Sequence, residues 1–220
     1  MKRIGYKKPL LYLLGLTMLG LTVTLIQKTN LGMSSWDALN RNFYEGVPIE
    51  YKYLTPIFAF ILISFAYLIE WKKPDWLFLF PLFVSFYIGF VIDLLLKVIP
   101  SVVDANLAIN LLYLLFALTV CAVGLNLIIY CQFPLPALDA FCNALAKRLK
   151  LSFGKGKLIG EIIALGLTVI AGLAFHHQEQ WFFIGPTTII FAVTIGLFVD
   201  LFKKPIFAIL EVKHDNRDLR

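Results

Sequence analysis

Long apolar runs are the feature that most restricts how this chain can fold. Six of them occur, each bounded by charged residues or proline, and several approach the length of about 20 residues that a helix needs to cross a bilayer. Their number and length predict an all-α, polytopic membrane protein with six transmembrane helices. We place the six spans at residues 9–27, 54–69, 76–96, 108–130, 158–175 and 182–202.

The composition agrees with this fold class. Hydrophobic residues make up 60% of the chain and charged residues 15%, whereas soluble domains have about 45–50% and about 25%. The chain therefore has too little polar surface to coat a water-soluble particle. No P-loop, GxSxG, HExxH or dinucleotide motif occurs, and the three cysteines lack metal-ligand spacing. We expect no enzyme activity, no cofactor and no metal site.

The positive charges predict the orientation of the chain. The 20 Lys and Arg residues lie between and beside the apolar runs instead of forming one basic face, so we expect no nucleic-acid partner. On the six-span arrangement, 16 of them fall on one side and only Lys28, Arg41, Lys52 and Lys97 on the other. Because positive loops stay inside, we predict that both termini are cytoplasmic.

Two pairs of segments indicate an internal repeat. Residues 88–97 and 195–204 share Ile, Gly, Asp, Leu and Lys at an offset of 107, and residues 32–39 align with 134–141 at an offset of 102. We interpret the chain as a duplication. Since each copy contains an odd number of spans, the second copy would enter the membrane in the opposite orientation, which is typical of secondary transporters.

The duplication predicts the domain boundaries. The first three-span repeat covers residues 1–105, the second, inverted repeat covers 106–210, and residues 211–220 form a flexible, charged cytoplasmic tail.

A break follows the first span of each half. After the first span, Asn30 and Gly32 end the helix, and Ser34 or Ser35 can cap a new short one. After the fourth span, Pro134 and Pro136 end the helix, and a second short helix is expected at Ala137–Leu149. Two alternatives remain open for both short helices: they re-enter the membrane, or they lie flat at its surface.

The repeated segments carry four aspartates. The topology places Asp37 and Asp93 toward the outer face, and Asp139 and Asp200 toward the cytoplasmic face. An acid inside a membrane is a candidate functional residue because its charge is costly to bury without a partner. We interpret each pair as a gate or as a cation or proton site on its own side.

The alternative is that these acids are structural. Each aspartate would then pair with a nearby lysine or cap the broken segment of its own half. Under either interpretation we expect Asp93 to lie near residues 32–38 and Asp200 near residues 134–140.

Other polar residues inside the predicted membrane region complete the set of candidates. Thr24 and Asn126 align deep in the first and fourth spans, where they either line a solute site or bond neighbouring helices. Glu161 follows Lys157 at a spacing of four, which favours pairing along one helix. The candidate solute and gating residues also include Ser34, Ser35 and Trp36 beside Asp37.

The first break carries a recognisable motif. Residues 29–39 read T-x-LG-x-S-x-WD followed by Ala-Leu, and this resembles the YczE/YitT-like bacterial membrane proteins. The resemblance extends over most of the chain, including the Ile-Gly-x3-Asp sequence from Ile88 to Asp93. Ser35 stands where such motifs usually have proline. The resemblance implies a bacterial plasma membrane protein with about five or six spans, and it implies little about activity.

Together these patterns predict a small secondary transporter that works by alternating access. It would move an unidentified small solute or lipid-like molecule across the plasma membrane. Two alternatives remain: a substrate-binding membrane subunit of a multi-component importer, and a non-transporting membrane scaffold or sensor. The expected partners are the lipid bilayer and the solute, together with a second copy of the chain or another membrane subunit.

Overall fold

The computed structural model describes residues 7–47, 51–73, 76–176 and 183–215. These residues form eight α-helices and one 3₁₀ turn, Trp76–Phe78, without a β-strand in the described ranges. The helices are α1 Lys7–Gln27, α2 Ser35–Gly46, α3 Tyr51–Ile69, α4 Phe80–Val98, α5 Leu107–Cys131, α6 Ala137–Leu149, α7 Phe153–Ala174 and α8 Pro186–Asp215.

The predicted elements coincide with these helices. Each predicted span falls on a long helix, and the two predicted short helices are α2 and α6. Four helices, α1, α4, α5 and α7, are long and apolar enough to cross a membrane, and residues 56–69 of α3 form a shorter apolar helix. The chain therefore has the build of a helical, multi-pass membrane protein. The count of six spans and the cytoplasmic termini stay predictions.

The predicted tail differs in part from the structure. Helix α8 continues to Asp215, so the backbone of residues 211–215 is helical. Residues 216–220 lie outside the described residues.

Helices α1 and α5 form the centre of the molecule and pack most extensively against each other. Their contact is apolar and fully buried, with Leu16 on α1 facing a core that includes Leu125, Ile128 and Ile195. Helix α4 packs against α1, and α8 packs against α5. Each half thus contributes one central helix and its own final helix to this core.

The short helices connect the two halves. Helix α2 of the first half packs against α7 of the second, and α6 of the second half packs against α3 of the first. Trp36 and Ile63 from the first half share a second apolar core with Phe141 and Ala164 from the second. The two halves are therefore interlocked.

The connection between α1 and α2 is irregular, yet its backbone is satisfied by protein. The Asn30 N–H donates to Asn110 Oδ1 at 3.1 Å, and the Thr187 N–H donates to the Leu31 carbonyl at 2.9 Å. Gly32 has a φ of 94° and lies so close to Gly185 that a Cβ would be 2.7 Å from its Cα. Glycine is required there both by the left-handed backbone and by the close approach. This connection fixes the start of α2 inside the helix bundle.

Candidate functional site

A cavity of about 930 Å³ lies between the two halves. Its volume is within the range of small-molecule sites. All eight helices contribute to its wall, which is largely apolar and carries aromatic residues such as Phe58, Phe86 and Phe191. The charged residues among the described lining are Asp37, Arg41, Asp93, Asp139, Lys157 and Glu161.

Three of these residues form a buried charged triad. The Lys157 ammonium lies 2.8 Å from Asp139 Oδ1 and 3.5 Å from Glu161 Oε1. The exposed side-chain fractions are 5% for Lys157, 6% for Asp139 and 1% for Glu161. The pairing of Glu161 with Lys157 at i,i+4 is confirmed. One lysine thus serves two carboxylates in an interior where unpaired charge is costly.

The close packing of α6 on α7 brings this triad together. Gly160 on α7 accommodates the side chain of Cys142 on α6, since a Cβ at Gly160 would lie 2.4 Å from the Cys142 sulfur. Asp139 occupies the first turn of α6, and the exposed Ser152 caps the start of α7 by accepting from the Lys155 N–H. Lys157, one turn into α7, therefore points at the start of α6.

The start of α2 forms the opposite wall. Ser34 is the N-cap, as predicted: the Asp37 N–H donates to Ser34 Oγ at 3.3 Å, and the Ser34 hydroxyl donates to Asp37 Oδ2 at 2.6 Å. A carboxylate in the first turn is also favoured by the positive end of the helix dipole. Asp37 thus stabilises its own helix while it lines the cavity.

The starts of α2 and α6 both line the cavity, and the two helices contact each other through one aromatic pair. The Trp36 ring contacts the Phe141 ring edge-on, with centroids 6.4 Å apart. The Ser35 carbonyl accepts from the Thr168 hydroxyl at 2.9 Å, and its own hydroxyl lies beside the Glu161 carboxylate without hydrogen-bond geometry. Both short helices are buried at their first turns. This arrangement resembles re-entry into the bundle more than a flat surface position.

Four buried polar atoms of cavity-lining residues have no hydrogen-bond partner within the described part of the chain: Trp36 Nε1, Asn40 Oδ1, Arg41 Nε and Glu161 Oε2. Buried polar groups are nearly always hydrogen-bonded. Unpartnered donors and acceptors around one cavity therefore indicate a place for a bound molecule.

Thr24 and Asn126 do not lie on the described cavity wall. The Thr24 hydroxyl donates to the Gly20 carbonyl of its own helix at 2.9 Å. The Asn126 amide donates to the carbonyls of Ala122 and Val199, each at 2.9 Å. Both residues are fully buried. Of the two roles expected for them, the structure supports bonding between helices for Asn126, whereas the described hydrogen bond of Thr24 stays within α1.

The four aspartates have different surroundings. Asp93 lines the cavity together with Met33, Ser34 and Asp37, in agreement with its expected place near residues 32–38. Asp200 differs: its carboxylate accepts from the Ser152 hydroxyl and from the Gly154 N–H, the latter at 3.1 Å. It therefore caps α7, whose first N–H groups need acceptors, and its expected place near residues 134–140 stays a prediction.

One cavity thus holds acids that were assigned to opposite faces, namely Asp37, Asp93 and Asp139. The sequence leaves open whether the short helices re-enter the membrane, and in the structure α2 and α6 contact each other through the rings of Trp36 and Phe141. The sequence also did not identify Lys157 as the centre of a site. The available signal was its position at the start of an apolar run, with a carboxylate four residues later.

The model of a family of unknown function, DUF6198, matches residues 6–204. The chain belongs to this family. The DUF6198 match includes both short helices and every described residue of the cavity wall. No curated protein and no solved structure matches the chain. The resemblance to the YczE/YitT-like proteins stays a prediction from the motif at residues 29–39.

Proposed function

We propose that this DUF6198 protein is a small secondary transporter that works by alternating access, with the central cavity as its solute site. The observation that carries the proposal is the buried triad of Asp139, Lys157 and Glu161 on the wall of a cavity of about 930 Å³. Ionisable residues inside membrane helices are expensive to bury and commonly mark the path of a substrate or an ion.

The packing supports two inverted three-span repeats covering residues 1–105 and 106–210. The packing of α2 on α7 has a counterpart in that of α6 on α3, and the packing of α1 on α4 has one in that of α5 on α8, as a pseudo-twofold axis between the repeats would require. The starts of the two short helices, Ser35 and Ala137, are 102 residues apart, and so are Tyr51 and Phe153 at the starts of α3 and α7. Rocking of one repeat against the other would open the cavity to alternate sides.

Broken helices whose starts meet near the interior are a feature of such transporters, because helix ends and polar side chains there can contact the solute. The first turns of α2 and α6 provide this arrangement through Trp36 and Phe141. Since the sequence has no nucleotide-binding motif, we assign the energy source to an ion gradient across a bacterial plasma membrane.

Flux measurements test the proposal. The purified full-length protein is reconstituted into liposomes and assayed for counterflow across a panel of small metabolites and lipids. We expect wild type and Asp104→Asn, which changes an exposed acid outside the cavity, to transport the same solute. Glu161→Gln should reduce the flux strongly. If no solute of the panel crosses the membrane, the transporter proposal fails.

Labelling of the cavity tests alternating access. Cys121, Cys131 and Cys142 are replaced by alanine, and a new cysteine is placed at Asn40 on the cavity wall. We expect a membrane-impermeant thiol reagent to label this position from one face without solute and from the other with it. Labelling from a single face under every condition, without flux, favours a sensor or scaffold. High-affinity binding without flux favours a capture subunit.

A further inference from the structure

We propose that the solute is a small organic ammonium ion with an apolar body, which binds at Glu161 in exchange for a proton. This inference rests on the proposed function in that it places the solute in the same cavity. Three features of the cavity support this solute: its charge balance, the unpartnered atoms on its wall and the identity of the neighbouring side chains.

The charge balance favours a cation. Four acids and two bases occur among the described lining residues. The charge of Arg41 is paired with Glu45, and its guanidinium lies over the rings of Tyr44 and Phe183, although its Nε has no partner within the described residues. The start of each short helix adds only about half a positive charge. The cavity therefore keeps an excess of negative charge, which excludes an anionic solute on electrostatic grounds.

Among the described acids of the cavity wall, Glu161 alone has a buried carboxylate oxygen without a hydrogen-bond partner. Asp37 is bonded to Ser34 at the start of its own helix, and Asp139 is bonded to Lys157. Glu161 shares the same lysine at 3.5 Å through Oε1, and its Oε2 has no partner within the described part of the chain. A buried carboxylate oxygen of this kind needs a donor, and an ammonium N–H is a strong one.

The neighbouring side chains favour an organic ion over a metal. Trp36 offers an aromatic face to a cation and an unpartnered N–H to an acceptor on the solute. Phe58 and Phe86 provide apolar wall for the rest of the molecule. Within the described residues, no three His, Cys, Asp or Glu side chains converge as metal ligands do. The Lys157 ammonium already occupies one oxygen of Asp139.

A proton replaces the ammonium ion when the cavity is empty. Uncompensated carboxylates in a membrane interior are costly, so one of them binds a proton when no cation is present. On entry of the ammonium ion, the O–H bond of Glu161 breaks, its proton leaves to solvent, and an ammonium N–H donates to the carboxylate. One positive charge enters and one leaves. The titratable and charged groups that interact with Glu161 are Lys157 on its own helix, Asp139 and Cys142 on α6, and Cys121 on α5. The other charged residues of the cavity lining are Asp37 and Arg41 on α2 and Asp93 on α4. On α8, Asp200 bonds the start of α7.

Binding to three probes of matched size tests the charge of the solute. The full-length protein in lipid nanodiscs is titrated calorimetrically with 2-phenylethylammonium, with neutral 3-phenyl-1-propanol and with anionic 3-phenylpropionate. We expect the ammonium probe to bind roughly tenfold or more tightly than either of the others, as a charged hydrogen bond does. Equal affinities, tighter binding of the anion, or no binding of the ammonium probe would overturn the inference.

Proton release tests the exchange. In weakly buffered solution with a pH indicator, binding of 2-phenylethylammonium should release up to about one proton per site, and the affinity should rise with pH. Glu161→Gln should abolish the release and weaken binding roughly tenfold. Binding that is independent of pH and releases no proton would overturn the exchange.

Two further variants separate binding from folding. Trp36→Phe keeps an aromatic ring but removes the N–H, so it should preserve proton release and weaken the affinity by a few-fold only. Asp104→Asn, outside the cavity, should match wild type in both measurements. A Trp36→Phe protein that folds but releases no proton would contradict the assignment to Glu161.

The inference and the proposed function can fail separately. Ammonium binding with proton release, but without flux of any solute, would leave the inference standing and remove the transporter. Flux of a neutral or anionic solute without ammonium binding would overturn the inference and leave the transporter proposal standing.

Discussion

The starts of α2 and α6 occupy related places in the two halves, yet their aspartates have different partners. Each helix carries an aspartate as its third residue, Asp37 in α2 and Asp139 in α6. In α2 the N-cap is Ser34, whose hydroxyl bonds Asp37. In α6 the N-cap is Pro136, which offers no side-chain hydrogen bond. Asp139 is therefore available to pair with Lys157.

The same contrast extends to the long helices that follow. The residues 102 positions before Lys157 and Glu161 are Thr55 and Ala59 on α3. The first half thus has the helical arrangement of the second without its ion pair. Corresponding helices of the two halves pack in similar ways, while the buried charges of the triad are confined to the second half.

Removing the lysine should have the largest effect. Lys157→Met leaves Asp139 and Glu161 buried without a counter-charge, and we expect it to lower the free energy of unfolding by about 3–5 kcal/mol. Denaturant unfolding in detergent, followed by circular dichroism, measures this difference. Lys155→Met changes an exposed lysine on the same helix and should shift stability by no more than about 0.5 kcal/mol. Equal effects of the two variants would contradict a buried triad.

The two aspartates at the ends of the repeats should also differ. Asp200→Leu deprives Ser152 and the Gly154 N–H of their acceptor and should cost about 1–3 kcal/mol. Asp93 is exposed to the cavity, so Asp93→Leu should cost no more than about 0.5 kcal/mol. Thermal unfolding of both variants side by side measures the contrast. If Asp93→Leu lowers stability by more than about 0.5 kcal/mol, the two halves are more alike at these aspartates than the structure indicates.

Removing the cap of α2 should have a smaller effect. Ser34→Ala removes the acceptor of the Asp37 N–H and the donor to the Asp37 carboxylate, which should cost about 1 kcal/mol. Ser101→Ala in the exposed loop before α5 is the matched control and should change stability by less than about 0.5 kcal/mol. Proteolysis of the native state measures opening of α2, and unchanged protection in Ser34→Ala would refute the capping role.

The smallest expected effect concerns the link between α3 and α6 at Glu70. Its carboxylate bonds Lys147 at 3.0 Å and also pairs with Lys72. Partial burial alone would raise the pKa of Glu70, but the hydrogen bonds and charges of the two lysines outweigh it and hold the pKa below its ordinary value of 4.5.

Since the pKa is lowered in the folded state, the stabilisation is complete above the ordinary glutamate pKa and is lost as the pH falls through the folded value. Glu70→Gln should therefore cost no more than about 1 kcal/mol near neutral pH. The difference from wild type should vanish in acid, and a difference that persists there would contradict an electrostatic origin. Unfolding of both proteins across the acidic pH range measures it.

Local patterns determined the helices. Apolar runs bounded by charge or proline predicted the six long helices, and the stops at Asn30 and Gly32, and at Pro134 and Pro136, predicted the two short ones. Helix ends depend on residues only a few positions apart, so they can be inferred from sequence. The cap at Ser34 is of this kind.

The composition of the cavity was decided by tertiary structure. Nearly every helix face of this chain is apolar, so the pattern could not show which face meets lipid and which meets protein. Asn126 consequently proved to bond α5 to α8, Thr24 proved to bond the backbone of its own helix, and Asp200 proved to cap α7.

By itself, then, the sequence determined a helical membrane protein with acids inside its apolar region, and it predicts that the two halves are related. Only the packing of α6 on α7 placed Lys157 between Asp139 and Glu161, and only the meeting of α2 with α6 brought Asp37 to the same cavity. The physical reason is that a charge so deep in the protein needs a partner, and the chain contains several candidates. Which of them comes within hydrogen-bond distance depends on how residues far apart in sequence pack together.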